Sequence, residues 1–341
     1  MLKVENKNKA VSDKHLLDEL SSLIEQSRIQ IVSQANSALN LLFWQIGRKI
    51  ETNILNNKRA DYGKQIVVTL SRQLEEKYGG NFGEKNLRRM LQFYEQFTAY
   101  ENVVTLSRYL TWSHFLVLIP LKNNKAKQFY AEKVCSEIWS VRELRKQISA
   151  KVYERTLIAD TQIPESQTGI NSVFKDPYFL EFLGLKDNYL EKDLEMSILR
   201  ELERFLMELG RGFTFVERQK RMIIDGEDFF LDLLFYHRNL KRLIAIELKL
   251  GKFQAKYKGQ MELYLKWLNK YEKHKDENPP IGLILCAENS REQVELLEMH
   301  KDGIVVAEYW TELPPKKELE KRLHKALIEA REMLEKRKLL K

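Results

Sequence analysis

Cysteine is nearly absent: Cys135 and Cys286 are the only two in 341 residues, and they lie far apart in sequence. Two thiols cannot assemble a zinc cluster by themselves, and such sparing use fits a reducing compartment. Long apolar runs are missing as well. None approaches the roughly 18 residues that cross a bilayer as a helix, so no transmembrane helix and no membrane partner is expected. The opening residues, MLKVENKNKAVSDKH, are polar and lack the apolar centre of a signal peptide. A cytoplasmic protein is expected. No GxxxxGK(S/T) segment occurs. The chain therefore carries no ATP motor of that kind, and any helicase or translocase would be a partner.

What the chain does have is material for packed cores. Apolar residues make up 43% and charged residues 31%, the balance of a globular rather than a disordered chain. At about 100–200 residues per domain, 341 residues suggest two domains. The net charge of +8 is lopsided. Residues 1–155 hold 25 Lys and Arg against 16 Asp and Glu, whereas residues 156–341 hold 32 against 33. Lys and Arg replace condensed counterions along a phosphate backbone, so the asymmetry points to a nucleic-acid partner. An ordinary solvated surface is the plainer alternative.

The first half reads as helical throughout. Apolar residues recur at three- and four-residue spacing in Leu16-Leu17-Leu20-Leu23-Ile24, Leu39-Leu42-Phe43-Ile46-Ile50, Ile66-Leu70-Leu74 and Leu87-Met90-Leu91-Tyr94. Gly79, Gly80 and Gly83 separate the last two, which suits a helix-turn-helix. The helix after that turn offers Lys85, Asn86, Arg88 and Arg89 near its start, where a recognition helix places its contacts. A bundle helix with a charged outer face is the bland alternative. His114 reads as a helix-start residue, and Trp112 and Trp139 as core. Residues 1–155 are thus expected to form an all-α domain. Residues 156–175, polar and bearing Pro164 and Gly169, read as a linker to a domain over 176–341.

In the second half a helix is expected from about Leu190 to Leu209, ended by Gly210 and Gly212. Strands follow over 213–224, 229–236 and 242–250, then a helix over 255–273, then strands over 281–287 and 304–309. That order makes an α/β domain around a mixed sheet. The last helix, Leu319 to Leu340, bears a heptad-like stripe of Leu319, Leu323, Ala326, Ala330 and Met333. Such a stripe docks on its own domain or forms a homodimer contact.

Two of these strands carry the chemistry. FFLDLLFY holds a single acid, Asp232, and LIAIELKL holds Glu247 and Lys249, all among large apolar residues. Buried charges need a partner or a metal. The polar turn Arg238-Asn239-Leu240-Lys241 joins the strands as a hairpin. Centred there, it sets Asp232 opposite Glu247 and points Lys249 to the same side. Leu231, Leu233, Phe235, Ile244, Ile246 and Leu248 are expected on the other face. Two adjoining carboxylates repel unless a cation lies between them. Mg²⁺, with Mn²⁺ as a second choice, accepts one or two carboxylates with waters and phosphate. A structural ion pair of Lys249 with one acid would leave the other acid unexplained.

The pattern Asp232 … Glu247-Leu248-Lys249 resembles the PD-(D/E)XK nuclease signature, and the wider chain is similar to the YhcG-type nucleases of that superfamily. The strings FLMELGRGFTFVERQKRM, DFFLDLLFYHRNLKRLIAIELKLGKF and GQMELYL carry this in the second half, and YGKQIVVTLSRQLEEKYGGNFGEKNLRRMLQFYEQF in the first. The resemblance covers about nine-tenths of the chain. It implies a restriction-endonuclease-like mixed sheet flanked by helices, behind a helical nucleic-acid-binding domain. It also implies metal ligation by Asp232 and Glu247, with Lys249 as the motif lysine. Gln260 and Tyr264 resemble the QxxxY element of RecB relatives, which lies beside the active site. An acid on the first helix is matched best by Glu195, with Glu201, Glu203 and Glu208 on the same helix. No proline precedes Asp232, where Leu231 stands. The implied activity is Mg²⁺-dependent endonucleolytic cleavage of DNA. A non-catalytic nucleic-acid-binding protein and an RNA-directed nuclease are the alternatives.

Overall fold

The structure is a computed structural model that describes residues 2–56, 60–163, 173–185 and 189–339. It divides into two compact units, Met1–Ala150 and Lys151–Lys341.

The first unit is helical: α1 (Leu2–Asn56), α2 (Ala60–Tyr78), α3 (Glu84–Gln96), α4 (Tyr100–Ser107), α5 (Trp112–Leu118), α6 (Asn124–Glu137) and α7 (Val141–Ser149). The periodic stretches around Leu16 and Leu39 belong to one long helix, because no Gly or Pro breaker lies between them. A 3-10 turn, Gly80–Phe82, joins α2 to α3, entered through Gly79 at φ 90, a conformation that favours glycine. Phe43 and Ile50 of α1, Val67 of α2, and Leu87 and Met90 of α3 form the core here. Helices α1 and α3 cross closely at Gly47. A Cβ there would lie 2.1 Å from the Met90 carbonyl oxygen, so no larger residue fits. His114 starts α5 as expected: its Nδ1 accepts from Thr111 N at 3.1 Å and its Nε2 donates to Trp139 O at 3.0 Å.

The second unit opens with α8 (Val152–Asp160), then β1 (Tyr178–Phe179), α9 (Glu191–Arg200), α10 (Leu202–Leu209), β2 (Phe213–Ile224), β3 (Glu227–His237), β4 (Arg242–Lys252), α11 (Lys256–Tyr271), β5 (Ile281–Glu288), α12 (Arg291–Leu296), β6 (Ile304–Trp310) and α13 (Lys316–Leu339). The sheet order is β1-β6-β5-β4-β3-β2. Strands β2, β3 and β4 run antiparallel, and β4, β5 and β6 run parallel, with β1 parallel to β6. Apolar cores cover both faces. Leu194, Ile198 and Phe205 pack with Leu233, Phe235 and Ile246 on one, and Met261, Tyr264 and Leu268 with Leu234, Ala245 and Ile284 on the other. Each buried Leu, Ile, Phe or Met among them adds roughly 1.5–3 kcal/mol. The expected mixed α/β sheet is therefore present.

Several expectations change. The linker expected over 156–175 lies in part outside the described residues, over 164–172. At its start, residues 156–160 belong to α8, and at its end Phe174 is fully buried. The cause is Arg155, a buried cation that draws this segment into the unit. Its guanidinium lies 3.6 Å over Phe179, donates to Pro177 O at 2.7 Å and pairs with Glu208. The single helix expected over 190–209 is two, broken at Glu201, where φ −105 and ψ 30 leave the helical region. The stripe on α13 docks on its own unit: Leu319, Leu323 and Ala330 are buried, and the main-chain oxygen of Ala326 accepts from Arg291 at 2.8 Å. Among the described residues no helix is long and apolar enough to cross a membrane.

Candidate active site

The hairpin of β3 and β4 pairs Leu233 with Ile246 through to His237 with Arg242. That register carries Asp232 opposite Glu247, as the turn predicts. The ladder stops there. Leu248 N donates to Asp232 Oδ2 at 2.8 Å, so the carboxylate fills the gap where the strands part.

On the far side of β3, the β2 register sets Gln219 across from Asp232, between the pairs Arg218–Leu233 and Lys220–Leu231. Gln219 has φ 47, a left-handed backbone that costs a side-chain-bearing residue about 1–2 kcal/mol. Strand alternation breaks at this point. Leu233 and Phe235 join one core while Leu231 joins the other, beside Leu234. The expectation that Leu231 shares a face with Leu233 is thus overturned: the regular two-residue period of β3 is interrupted at Asp232, where the ladder to β2 skips the Gln219–Asp232 pair.

The polar side chains then interlock. Glu247 Oε1 accepts from Lys249 Nζ at 3.0 Å and from Gln260 Nε2 at 3.2 Å. Gln260 also donates to the Tyr264 hydroxyl at 2.7 Å, which donates on to Phe230 O at 3.2 Å. The i, i+4 spacing of Gln260 and Tyr264 on α11 makes that chain possible. Gln219 Nε2 donates to Glu195 Oε2 at 2.9 Å and to Asp232 Oδ1 at 3.2 Å. Glu191 of α9 lies 4.0 Å from Lys249 Nζ and accepts from Leu250 N at 3.4 Å.

Three carboxyls in one place alter their own titration. Burial, then the Asp232 charge, pushes Glu247 up to about 7, against the pull of Lys249. Burial likewise raises Asp232, although the Leu248 N–H and Lys249 oppose it. Glu195 is raised by burial and by Asp232. Burial disfavours the Lys249 charge, but Glu247, Glu191 and Asp232 outweigh it and raise the ammonium.

Of the six residues expected at the catalytic centre, Asp232, Glu247, Lys249, Gln260, Tyr264 and Glu195 all meet here. The other helix glutamates do not. Glu208 receives Phe179 N at 2.9 Å and pairs with Arg155. Burial alone would raise it, but Arg155 and Lys175 hold it below its usual range. Glu201 pairs with Arg204 at 3.4 Å, and Glu203 is exposed. Gln219 and Glu191 are additions that no motif marks, because strand twist and helix packing bring them in.

Whether the site suits a cation turns on its oxygen atoms. Glu247 Oε2 is buried and has no hydrogen-bond partner among the described residues. An acceptor left unpaired in the interior, beside a second carboxylate, is the arrangement a positive ion relieves. Among the described residues no group of three or more His, Cys, Asp or Glu forms a ready cage. Two carboxylates supply the hard oxygen donors that a divalent cation takes together with water.

In the first unit the residues expected to touch nucleic acid sit at the start of α3. Lys85 and Arg88 are exposed and Arg89 is partly so. Arg88 pairs with Glu84 at 2.7 Å. Asn86 is held at both ends by the fold: it donates to Asn81 O at 2.6 Å and accepts from Trp112 Nε1 at 3.3 Å.

Comparison with known proteins gives the following. Residues 171–324 match the family described as the YhcG PDDEXK nuclease domain, and residues 19–155 match the DUF1016 N-terminal domain. A relative named "Putative nuclease YhcG" from Escherichia coli (strain K12) is 35% identical over 93% of this chain and 94% of its own. Among solved structures, a repair endonuclease from Pyrococcus abyssi is 22% identical over 38% of this chain and 50% of its own, with TM-score 0.26. The EndoMS-dsDNA2 complex is 20% identical over 38% and 48%, also with TM-score 0.26. The matched region spans about half the length of these solved chains.

Proposed function

The chain belongs to the family of YhcG PDDEXK nucleases, and from that premise we propose that it is a Mg²⁺-dependent endonuclease that hydrolyses phosphodiester bonds in DNA. One observation carries the reading. Asp232, Glu247 and Lys249 converge where the β3–β4 ladder opens, with a Glu247 carboxyl oxygen there that has no hydrogen-bond partner among the described residues.

A divalent cation, Mg²⁺ or Mn²⁺, held by Asp232 and Glu247 would neutralise phosphodiester charge and make water a better nucleophile. The chain's own groups do the rest. Lys249 keeps N–H groups beyond the one given to Glu247, and these can meet a phosphate oxygen as charge gathers on it. Glu195, with its raised carboxyl, is suited to take the proton that an attacking water gives up. Gln260 and Tyr264 hold Glu247 from α11, and Gln219 holds Glu195 and Asp232 at a set spacing.

The basic excess of residues 1–155 supports assigning the first unit to DNA binding, with Lys85, Arg88 and Arg89 as phosphate contacts. Because its side chain is committed to the turn, Asn86 shapes that surface rather than reading a base. Cys135 and Cys286 are free thiols, which fits the cytoplasm.

The test is a nicking assay on supercoiled and linear DNA, with parallel RNA. It compares Mg²⁺, Mn²⁺ and chelator, using Asp232→Asn as the control. Metal-dependent DNA cleavage lost in the variant is expected. DNA binding without turnover under every metal would favour the non-catalytic alternative, and cleavage of RNA alone would favour the RNA-directed one.

A further inference from the structure

Helix α1 packs on the first unit along its later turns, whereas its described residues over 15–32 are exposed on every side. Asn40, Phe43, Trp44 and Gly47 form the face that packs inward. Trp44 Nε1 donates to Phe97 O at 2.6 Å and Asn40 Nδ2 to Leu110 O at 2.8 Å. At 100° per residue, Leu16, Leu20, Leu23, Ile24, Ile31 and Leu42 fall in an arc of about 100° on the opposite side. These six are 53%, 48%, 59%, 53%, 65% and 44% exposed. Soluble chains rarely leave so long an apolar strip to water.

We infer that this strip of α1 pairs with the same strip of a second copy of the chain. Charge argues against the other occupants. Residues 15–42 contain Asp18, Glu19 and Glu25 against one strong base, Arg28, which is itself paired with Glu25 at 2.9 Å. A phosphate backbone or an anionic lipid surface would meet three carboxylates there and a single guanidinium already paired with one of them. Spacing favours a like helix. Leu20, Ile31 and Leu42 stand eleven residues apart, the interval at which a nearly straight helix keeps one seam toward its partner. Two copies share that interval, so contact runs the whole length. The area suffices, because pairing would cover on the order of 1,000 Å² of apolar surface, about the minimum for a specific interface. The inference does not depend on the nuclease reading. If both hold, one assembly carries two cleavage sites.

The experiment is sedimentation velocity on the full chain in high salt, free of nucleic acid, from low to high micromolar concentration. A dimer is expected. The double variant Ile24→Lys, Ile31→Lys should weaken it at least about 100-fold, since four ammonium groups would enter the seam. Far-UV circular dichroism checks that the variant stays folded. Should it lose helix, Ile31→Ser is the milder substitute and should weaken the dimer about tenfold. A wild-type chain that stays monomeric throughout overturns the inference. So does a dimer that these substitutions leave unchanged.

Discussion

Leu248 gives its main-chain N–H to Asp232 Oδ2 at 2.8 Å, where a regular sheet would pair it with the facing backbone. Asp232 is thus both a strand terminator and a candidate metal ligand, and two variants separate these roles. Asp232→Asn retains an acceptor for Leu248 and should keep its melting temperature while losing at least about 1,000-fold in cleavage. Asp232→Ala removes the acceptor as well, and should also cost about 1–3 kcal/mol in chemical denaturation.

Two carboxyls on the helices before β2, Glu195 and Glu208, should behave oppositely. Glu195 meets the site through Gln219, whereas Glu208 neutralises Arg155 in the core. Glu195→Gln should lower kcat with little change in stability. Glu208→Gln should leave the chemistry intact and destabilise the unit by about 3–5 kcal/mol, because it removes a charge paired with the buried Arg155 guanidinium. Equal effects on both properties in either variant would contradict the assignment.

Gln219 allows backbone strain to be measured apart from hydrogen bonding. Gln219→Ala and Gln219→Gly lose the same two bonds, to Glu195 and Asp232. Only glycine relaxes at φ 47. The glycine variant should therefore be about 1 kcal/mol the more stable of the two in denaturant titration. Both should lose activity to a similar degree.

The pH dependence follows from Glu247, whose carboxyl is pushed up to about 7 from 4.5. A carboxyl raised by folding binds its proton more tightly folded than unfolded. The contribution of Glu247 to the stability of the metal-free protein is then fully present below the ordinary carboxylate range and is lost as pH rises through about 7. The loss has an upper value of about 3 kcal/mol. Glu247→Gln should reduce this slope, leaving the smaller part due to Asp232 and Glu195, and should melt above the wild type at pH 8 without metal. Added Mg²⁺ should reverse the order by stabilising only the wild type, and its affinity should fall as pH drops below about 7.

How much was legible beforehand depends on the range of each interaction. The facing of Asp232 and Glu247 could be read from a short polar turn between two apolar runs, since a hairpin fixes register locally. Gln260 and Tyr264 could be placed on one helix face by spacing alone. Leu231 escapes a count by twos, because that count assumes an unbroken pleat and the pleat of β3 is interrupted at Asp232. The start of the linker was misread because a polar segment gives no sign that Arg155 will be buried against Glu208, 53 residues away. The apolar repeat of α1 was visible, but not that only its later turns would be covered.

By itself the sequence determined which residue types meet across one hairpin, the helical nature of the first half and the side on which basic charge gathers, because each follows from neighbours in the chain. Only the tertiary structure decided which helix glutamate reaches the carboxylates, that Gln219 spans two of them, and which part of α1 stays open. Those outcomes depend on contacts between distant segments, whose geometry no local pattern encodes.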